Sequence, residues 1–188
     1  MNERLQQLAA QLEYEATHDP LTAVFNRSAI INQINKSLTQ ANVALILLDI
    51  DHFKRINDEY GHPTGDRVIC ALVSRIRRAL PESAANGRVG GEEFTILLPE
   101  ARIEEAMIIA SYIHSSLNAS PLDVLPQQLV TASFGVSLGA KDSDFETLYS
   151  TSDAALYMAK KRGRNQVVLH EDFFRPPVQL HTGTALIR

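Results

Sequence analysis

Six consecutive apolar residues, Val43-Ala-Leu-Ile-Leu-Leu48, narrow the fold of this chain more than any other feature. The run has the length of a strand and lacks the in–out alternation of a strand with one wet face. Such a strand sits in the middle of a sheet with both of its faces buried. It breaks off abruptly into Asp49-Ile-Asp51.

The flanking segments supply the cover. Residues 26–40 read as a helix with Asn26 as N-cap and an apolar stripe of Ile30, Ile31, Ile34 and Leu38. Residues 51–59 form a short helix, and Pro63 opens another that runs to about Leu80. Residues 88–99 read as a hairpin with Gly90-Gly91 in its turn. A helix over 101–118, a strand over 129–138, one helix or two over 144–162 closed by Gly163, and a short strand over 165–170 complete the order. Strands alternating with helices in this way give an α/β sheet with helices packed on it. Residues 171–188, with Pro176-Pro177 and no clear period, read as a tail.

Residues 2–17 form a polar helix carrying Leu5, Leu8, Leu12 and Ala16 near heptad spacing. Two heptads leave two readings open. One is the end of a longer signalling helix that pairs with its own copy and follows an upstream region. The other is an amphipathic helix lying on the domain's own surface.

Composition excludes several classes of function. With 188 residues, 45% apolar and 21% charged, the chain has the make-up of a single globular domain. A net charge of −4 provides no basic footprint for duplex nucleic acid. Cys70 is the single cysteine, so neither an internal disulfide nor a thiolate metal cluster can form. Neither a signal peptide nor an apolar run of membrane-spanning length is evident, which makes the cytoplasm the expected compartment.

Two groups of acids carry the chemistry. Strand alternation puts Asp49 and Asp51 on one face, with Ile50 on the other. An aspartate after a strand commonly caps a helix, and Asp51 ahead of Phe53-Lys54 is placed for that role. In the hairpin, Gly90-Gly91 supplies the positive φ angles of a tight primed turn and lets phosphates approach its backbone. Glu92 and Glu93 then stand exposed at its tip, and two adjacent glutamates at a strand start suggest that a cation holds them. Oxygen ligands from two segments suit Mg²⁺, which takes few carboxylates and completes its shell with water and phosphate oxygens. His18, His52, His62, His114, His170 and His181 are too scattered for zinc and read as structural.

Five blocks in order over 19–169 together resemble the GGDEF domain family. They are Asp19-Pro-Leu-Thr-Ala-Val-Phe-Asn-Arg27; Asp49-Ile-Asp-His-Phe-Lys-Arg-Ile-Asn-Asp58 with Tyr60-Gly-His62 and Gly65-Asp66; Arg88-Val-Gly-Gly-Glu-Glu-Phe94; Ser133-Phe-Gly-Val136; and Asp153-Ala-Ala-Leu-Tyr-Met-Ala-Lys-Lys-Arg-Gly-Arg-Asn165. The third is the family signature in its GGEEF form.

The resemblance implies a palm-like mixed or antiparallel sheet flanked by helices, related to nucleotide cyclases and polymerases. It divides the chain into a signalling helix at 1–18, a catalytic domain at 19–170 and a tail at 171–188. The implied activity is that of a diguanylate cyclase, which joins two GTP into cyclic di-GMP and two pyrophosphates across a two-fold homodimer. Two Mg²⁺ ions per site, or Mn²⁺ in their place, would be held by Asp49, Glu92 and the carbonyl of Ile50. Glu93 matches the second signature acid. Lys54, Lys160 and Arg164 match phosphate contacts, Gly90 and Gly91 line the nucleotide, and Asn57 and Asp66 match the guanine-reading pair. The chemistry fits: an acceptor-only carboxylate takes both the ring N–H and the amine of guanine, and such a site can reject adenine by ~10⁴-fold. Paired metal ions about 4 Å apart would serve the attacking and leaving oxygens. The two-fold symmetry of cyclic di-GMP matches a pair of half-sites.

One departure stands out. Many family members carry an Arg-x-x-Asp product-inhibition motif where this chain has Pro81-Glu-Ser-Ala84, which argues against feedback there. Ala23 and Val24 replace the usual glycine and leucine, away from the chemistry. The competing readings are a non-catalytic module that binds GTP or cyclic di-GMP, and a mononucleotide cyclase, whose ATP form Asn57 and Asp66 oppose.

Overall fold

The computed structural model describes residues 3–173, so most of the expected tail, residues 174–188, lies outside the described residues. The apolar run forms β1 (Val43–Ile50), all eight residues of which are buried. It is the middle of a five-stranded mixed sheet in the order β2-β3-β1-β4-β5. The partners are β2 (Ala85–Arg88), β3 (Glu93–Pro99), β4 (Ala132–Gly139) and β5 (Val167–Leu169). β1 is antiparallel to both β3 and β4, and β5 alone runs parallel to its neighbour.

Alternation along β1 divides the core between two helical layers. Ala44, Ile46, Leu48 and Ile50 point into a cluster with α3 (Phe53–Tyr60), α4 (His62–Ala79) and α5 (Ile103–Ala119). Val43, Leu45 and Leu47 point the other way, onto Ile30, Ile34 and Leu38 of α2 (Arg27–Leu38) and Leu148 and Leu156 of α6 (Phe145–Lys161). The α+β architecture expected from the sequence is the one observed.

The helix ends follow local chemistry. Asn26 caps α2 by accepting from the Ala29 amide at 3.0 Å, and Asp144 caps α6 by accepting from Thr147 at 2.8 Å. The segment 144–162 is a single helix. Gly163, at φ +112°, lets the Arg164 N–H reach back to the Ala159 carbonyl at 2.9 Å, a Schellman closure.

Three expectations need correction. β2 begins at Ala85 and excludes Val89. Asn86 and Gly87 are poor strand formers, and their conformation comes from pairing with Ile96 and Thr95 and from a bridge between Gly87 and Phe25. Asp51 does not cap α3: the cap position is His52, in a left-handed conformation at φ +56°. Finally, the leucine stripe of α1 (Glu3–Thr17) is not packed on the domain's own surface, as one of the two readings of this helix expected. None of its residues is buried, and Leu5, Leu8 and Leu12 are between 51% and 59% exposed. Among the described residues no helix is long and apolar enough to cross a membrane.

α6 lies close against β4 because Gly135 has no side chain. A Cβ there would come within 2.3 Å of the Leu156 amide nitrogen and the Ser152 carbonyl oxygen. Gly135→Ala therefore forces a helix backbone off the sheet and should cost roughly 2–4 kcal/mol in chemical denaturation. An unchanged unfolding midpoint would contradict this close approach.

Candidate active site

β1 carries Asp49 to the end of the sheet on the face shared with α6, and its side chain is only 12% exposed. Directly across the β1–β3 ladder stands Glu93. Like charges in directly opposed positions repel. The Lys160 ammonium, in the last turn of α6, lies 3.0 Å from Asp49 Oδ2. Burial pushes the Asp49 carboxyl up, Lys160 opposes that, and Glu92 and Glu93 add to it, leaving its pKa at about 6. Negative charge at this point exceeds what one lysine balances.

Asp51 lies on the same face, as alternation requires, yet both of its oxygens are engaged internally. It accepts from Ser133 Oγ at 2.6 Å, Thr131 Oγ1 at 2.8 Å and the Asn165 amide at 3.0 Å. The two aspartates of the Asp-x-Asp pair thus have separate tasks.

The signature turn differs from the primed hairpin expected. Neither Gly90 nor Gly91 has a left-handed φ. Residues 89–92 form a wider connection, in which the amides of Val89 and Gly90 both donate to the Glu93 carbonyl, at 3.0 and 3.4 Å. Two bonds from the Arg88 guanidinium to the Gly91 carbonyl, at 2.8 and 3.1 Å, hold it open. The glycines serve space instead. A Cβ on Gly90 would sit 2.6 Å from Glu93 Oε2, whereas Gly91 faces nothing within 4 Å and leaves its backbone bare. Glu92 and Glu93 are half-buried and not exposed at a tip, because Glu93 is the first residue of β3 and the Glu92 carbonyl accepts from the Ile50 amide at 3.3 Å.

Arg88 also ties the turn to the N-terminal block, with Nη1 at 3.2 and 3.3 Å from the two Asp19 oxygens. Thr22 gives Asp19 two further hydrogen bonds, at 2.6 and 3.0 Å. Burial disfavours the Asp19 carboxylate, but the bonds from Thr22 and Arg88 outweigh it and hold the carboxyl below the usual aspartate range. Sequence reasoning missed this link, although Arg88 stands immediately before the turn.

A second group of predicted residues lies on α3 and α4. Asn57 is half-buried, and its Oδ1 is buried without a hydrogen-bond partner. Gly65 makes room for it, since a Cβ there would come within 1.9 Å of that oxygen. Asp66, the next residue, is exposed, as is Lys54. Among the described residues no hydrogen bond or ion pair joins Lys54, Asp66 or Arg164 to the acids around Asp49. The structure brings Asp49, Glu92, Glu93 and Lys160 together, and Asn57 beside residues 65–66.

The donor set suits a hard cation better than a preformed cage. Among the described residues no cluster of three or more His, Cys, Asp or Glu side chains is arranged to hold a metal ion. Mg²⁺ needs only one or two carboxylates when a substrate supplies phosphate oxygens. A buried carboxylate facing a second acid, with its excess charge unbalanced, meets that requirement. Two of the histidines have structural contacts: His18 stacks on Tyr14 with ring centroids 3.9 Å apart, and His114 meets Phe134 edge-on and the Asn165 carbonyl at 2.9 Å. A cavity of about 630 Å³ between α4, β3 and α5 is a different place, lined by Leu80, Pro81, Ser83, Leu98 and Ile108 with no basic side chain.

Residues 16–166 match the family described as diguanylate cyclase, GGDEF domain. The chain is 36% identical over 164 residues to the probable diguanylate cyclase DgcT of Escherichia coli K12, covering 83% of this chain and 36% of that protein. The chain therefore spans about a third of that relative's length. The coiled coil and GGDEF domain of DgcB from Caulobacter crescentus, solved in complex with c-di-GMP, superposes with a TM-score of 0.82 at 28% identity, over 89% of this chain and 92% of that one. The active GGEEF domain of a diguanylate cyclase from Vibrio cholerae gives a TM-score of 0.66 at 35% identity, over 75% and 90%.

Because its folded carboxyl is held below the ordinary 3.8, Asp19 contributes stability above that value and loses it as pH falls through the lower folded value. Asp19→Asn should cost about 2 kcal/mol of unfolding free energy at neutral pH. That deficit should close as the medium is acidified well below 3.8. A deficit independent of pH would show that charge on Asp19 contributes nothing.

Proposed function

As the chain belongs to the GGDEF family of diguanylate cyclase domains, we propose that it condenses two GTP molecules into cyclic di-GMP and two pyrophosphates. The observation that carries this reading is the pairing of buried Asp49 with Glu93 across β1 and β3, beside Glu92 and one lysine. Two like charges in register at the mouth of an apolar strand call for a cation, and a triphosphate brings one.

Asp49, Glu92 and the Ile50 carbonyl would hold Mg²⁺ or Mn²⁺, two ions per site. These would neutralise the triphosphate and lower the pKa of the attacking 3′-hydroxyl. With a divalent cation neutralising Asp49, Lys160 would be free to turn to the phosphates, and Lys54 and Arg164 would add positive charge along them. The bare backbone of Gly91 lets them approach, and Gly90 lines the nucleotide beside it. Glu93, held at the start of β3, keeps the second negative centre beside Asp49. In each half-reaction the ribose 3′-oxygen forms a bond to the α-phosphorus of the other GTP, and the bond from that phosphorus to pyrophosphate breaks.

Asn57 supports the choice of base. Its buried Oδ1 lacks a partner, a cost of about 1–3 kcal/mol that the amino group of a guanine would remove. Asp66, next to the glycine that shapes this corner, takes the ring N–H and shares the amine. ATP offers neither donor in that arrangement.

One protomer provides one half-site, so catalysis needs a second copy facing it. The exposed leucines of α1 are a surface suited to that pairing, and through α1 residues 1–18 would relay a signal from an upstream region into a catalytic unit at 19–170. GTP as substrate places the reaction in the cytoplasm. The cavity beside Pro81 and Ser83 is lined by no basic side chain that would recognise a phosphodiester, which supports the reading that product does not feed back through 81–84.

Protein dimerised through a fused coiled coil, given GTP and Mg²⁺, should yield cyclic di-GMP by mass spectrometry. Asp49→Asn or Glu92→Gln should lower the rate by on the order of 10²–10³ with the fold retained. Binding of GTP without product in the forced dimer would establish a binding module instead. Added cyclic di-GMP should leave the initial rate unchanged; inhibition relieved by substitutions within 81–84 would contradict the absence of feedback.

A further inference from the structure

Arg164 and Asn165 follow one another in the left-handed region, at φ +65° and +47°, directly after Gly163. Successive non-glycine residues persist there only where their surroundings fix them. The Schellman closure accounts for the backbone as far as the Arg164 amide. Asn165 is held by three residues from two other elements, the end of β1 and α5. Its amide donates to Asp51 Oδ2 at 3.0 Å, and its carbonyl lies 2.9 Å from His114 Nε2. Its side-chain amide exchanges two bonds with Asn118, at 2.9 and 2.8 Å. Asp51, 5% exposed, is itself fixed by Ser133 and Thr131. One clamp thus joins the end of β1, two residues past Asp49, to α5 and to the turn between α6 and β5.

We propose that Asn118, with His114 and Asp51, is a positioning residue: the clamp fixes the α6–β5 turn so that Arg164 presents its guanidinium to the nucleotide phosphates. This rests on the reading of Arg164 as a phosphate contact. Arg164 is exposed, and a long side chain on a mobile turn would lose more freedom on binding than one whose backbone is already set. Asn118 lies outside every sequence block that resembles the family and touches the turn only through Asn165 and His114, its neighbour on α5.

The test is a double-mutant cycle read by equilibrium binding, independent of turnover. Affinities for α,β-methylene GTP and for guanosine are measured in the unaltered protein, Asn118→Ala, Arg164→Ala and the double variant. Asn118→Ala should weaken the triphosphate analogue by about 3- to 10-fold, leave guanosine within about twofold, and have no further effect once Arg164 is alanine. If Asn118→Ala fails to fold, Asn118→Leu carries the same cycle, because it removes both bonds to Asn165 at similar volume and adds no charge. Equal losses for both ligands, additive losses in the double variant, or no loss would each overturn the proposal. Synthesis of cyclic di-GMP by the unaltered protein separates the two readings: an active enzyme with an additive cycle sinks this inference alone. An unaltered protein that binds neither ligand sinks both.

Discussion

Asp49 occupies a position that the rest of β1 is built to exclude. Seven of the eight residues of that strand are apolar and all are buried, so the carboxylate at its mouth meets low dielectric on one side and a second acid on the other. Desolvation and like-charge repulsion both oppose ionisation, and the Lys160 ammonium at 3.0 Å is the counterweight the fold supplies. Where Lys160 lies depends in turn on α6, and α6 is located by the bare surface of Gly135 on β4. A packing feature in the core thereby sets the electrostatics of the site.

Around that centre the loops are tied down by side chain to backbone contacts. Arg88 spans the Asp19 carboxylate and the Gly91 carbonyl, so the N-terminal block and the signature turn are tied to each other. Phe25 adds backbone bonds to Asn86 and Arg88 from the same block. α1 runs into this block through Asn26, which bonds the Thr17 and Ala16 carbonyls, giving the exposed helix a rigid root next to the turn.

The central strand, the helical cover and the order of elements were legible because hydrophobic period and capping chemistry are local signals, as at Val43–Ile50 and Asn26. The acidic positions were legible too, since a charge after an apolar run has few structural uses. What the sequence hid is set by tertiary contact. The Gly90-Gly91 pair suggests a primed turn, but Arg88 reaching Gly91 holds a wider loop in which glycine provides room and not torsional freedom. Asp51 looks like a helix cap beside α3, yet Thr131, Ser133 and Asn165, some 80 to 114 residues distant, claim it. Asn118 belongs to no local motif and acquires meaning only where α5 passes the α6–β5 turn.

The most direct measurement of the central claim is paramagnetic Mn²⁺ binding in the presence of α,β-methylene GTP, read by electron spin resonance. The account predicts two tightly held ions per protomer in the unaltered protein, dependent on the nucleotide, and their loss in Asp49→Asn with Lys160 unchanged. Equal Mn²⁺ uptake by both proteins would place the cations elsewhere and remove the reason for a carboxylate at the mouth of β1.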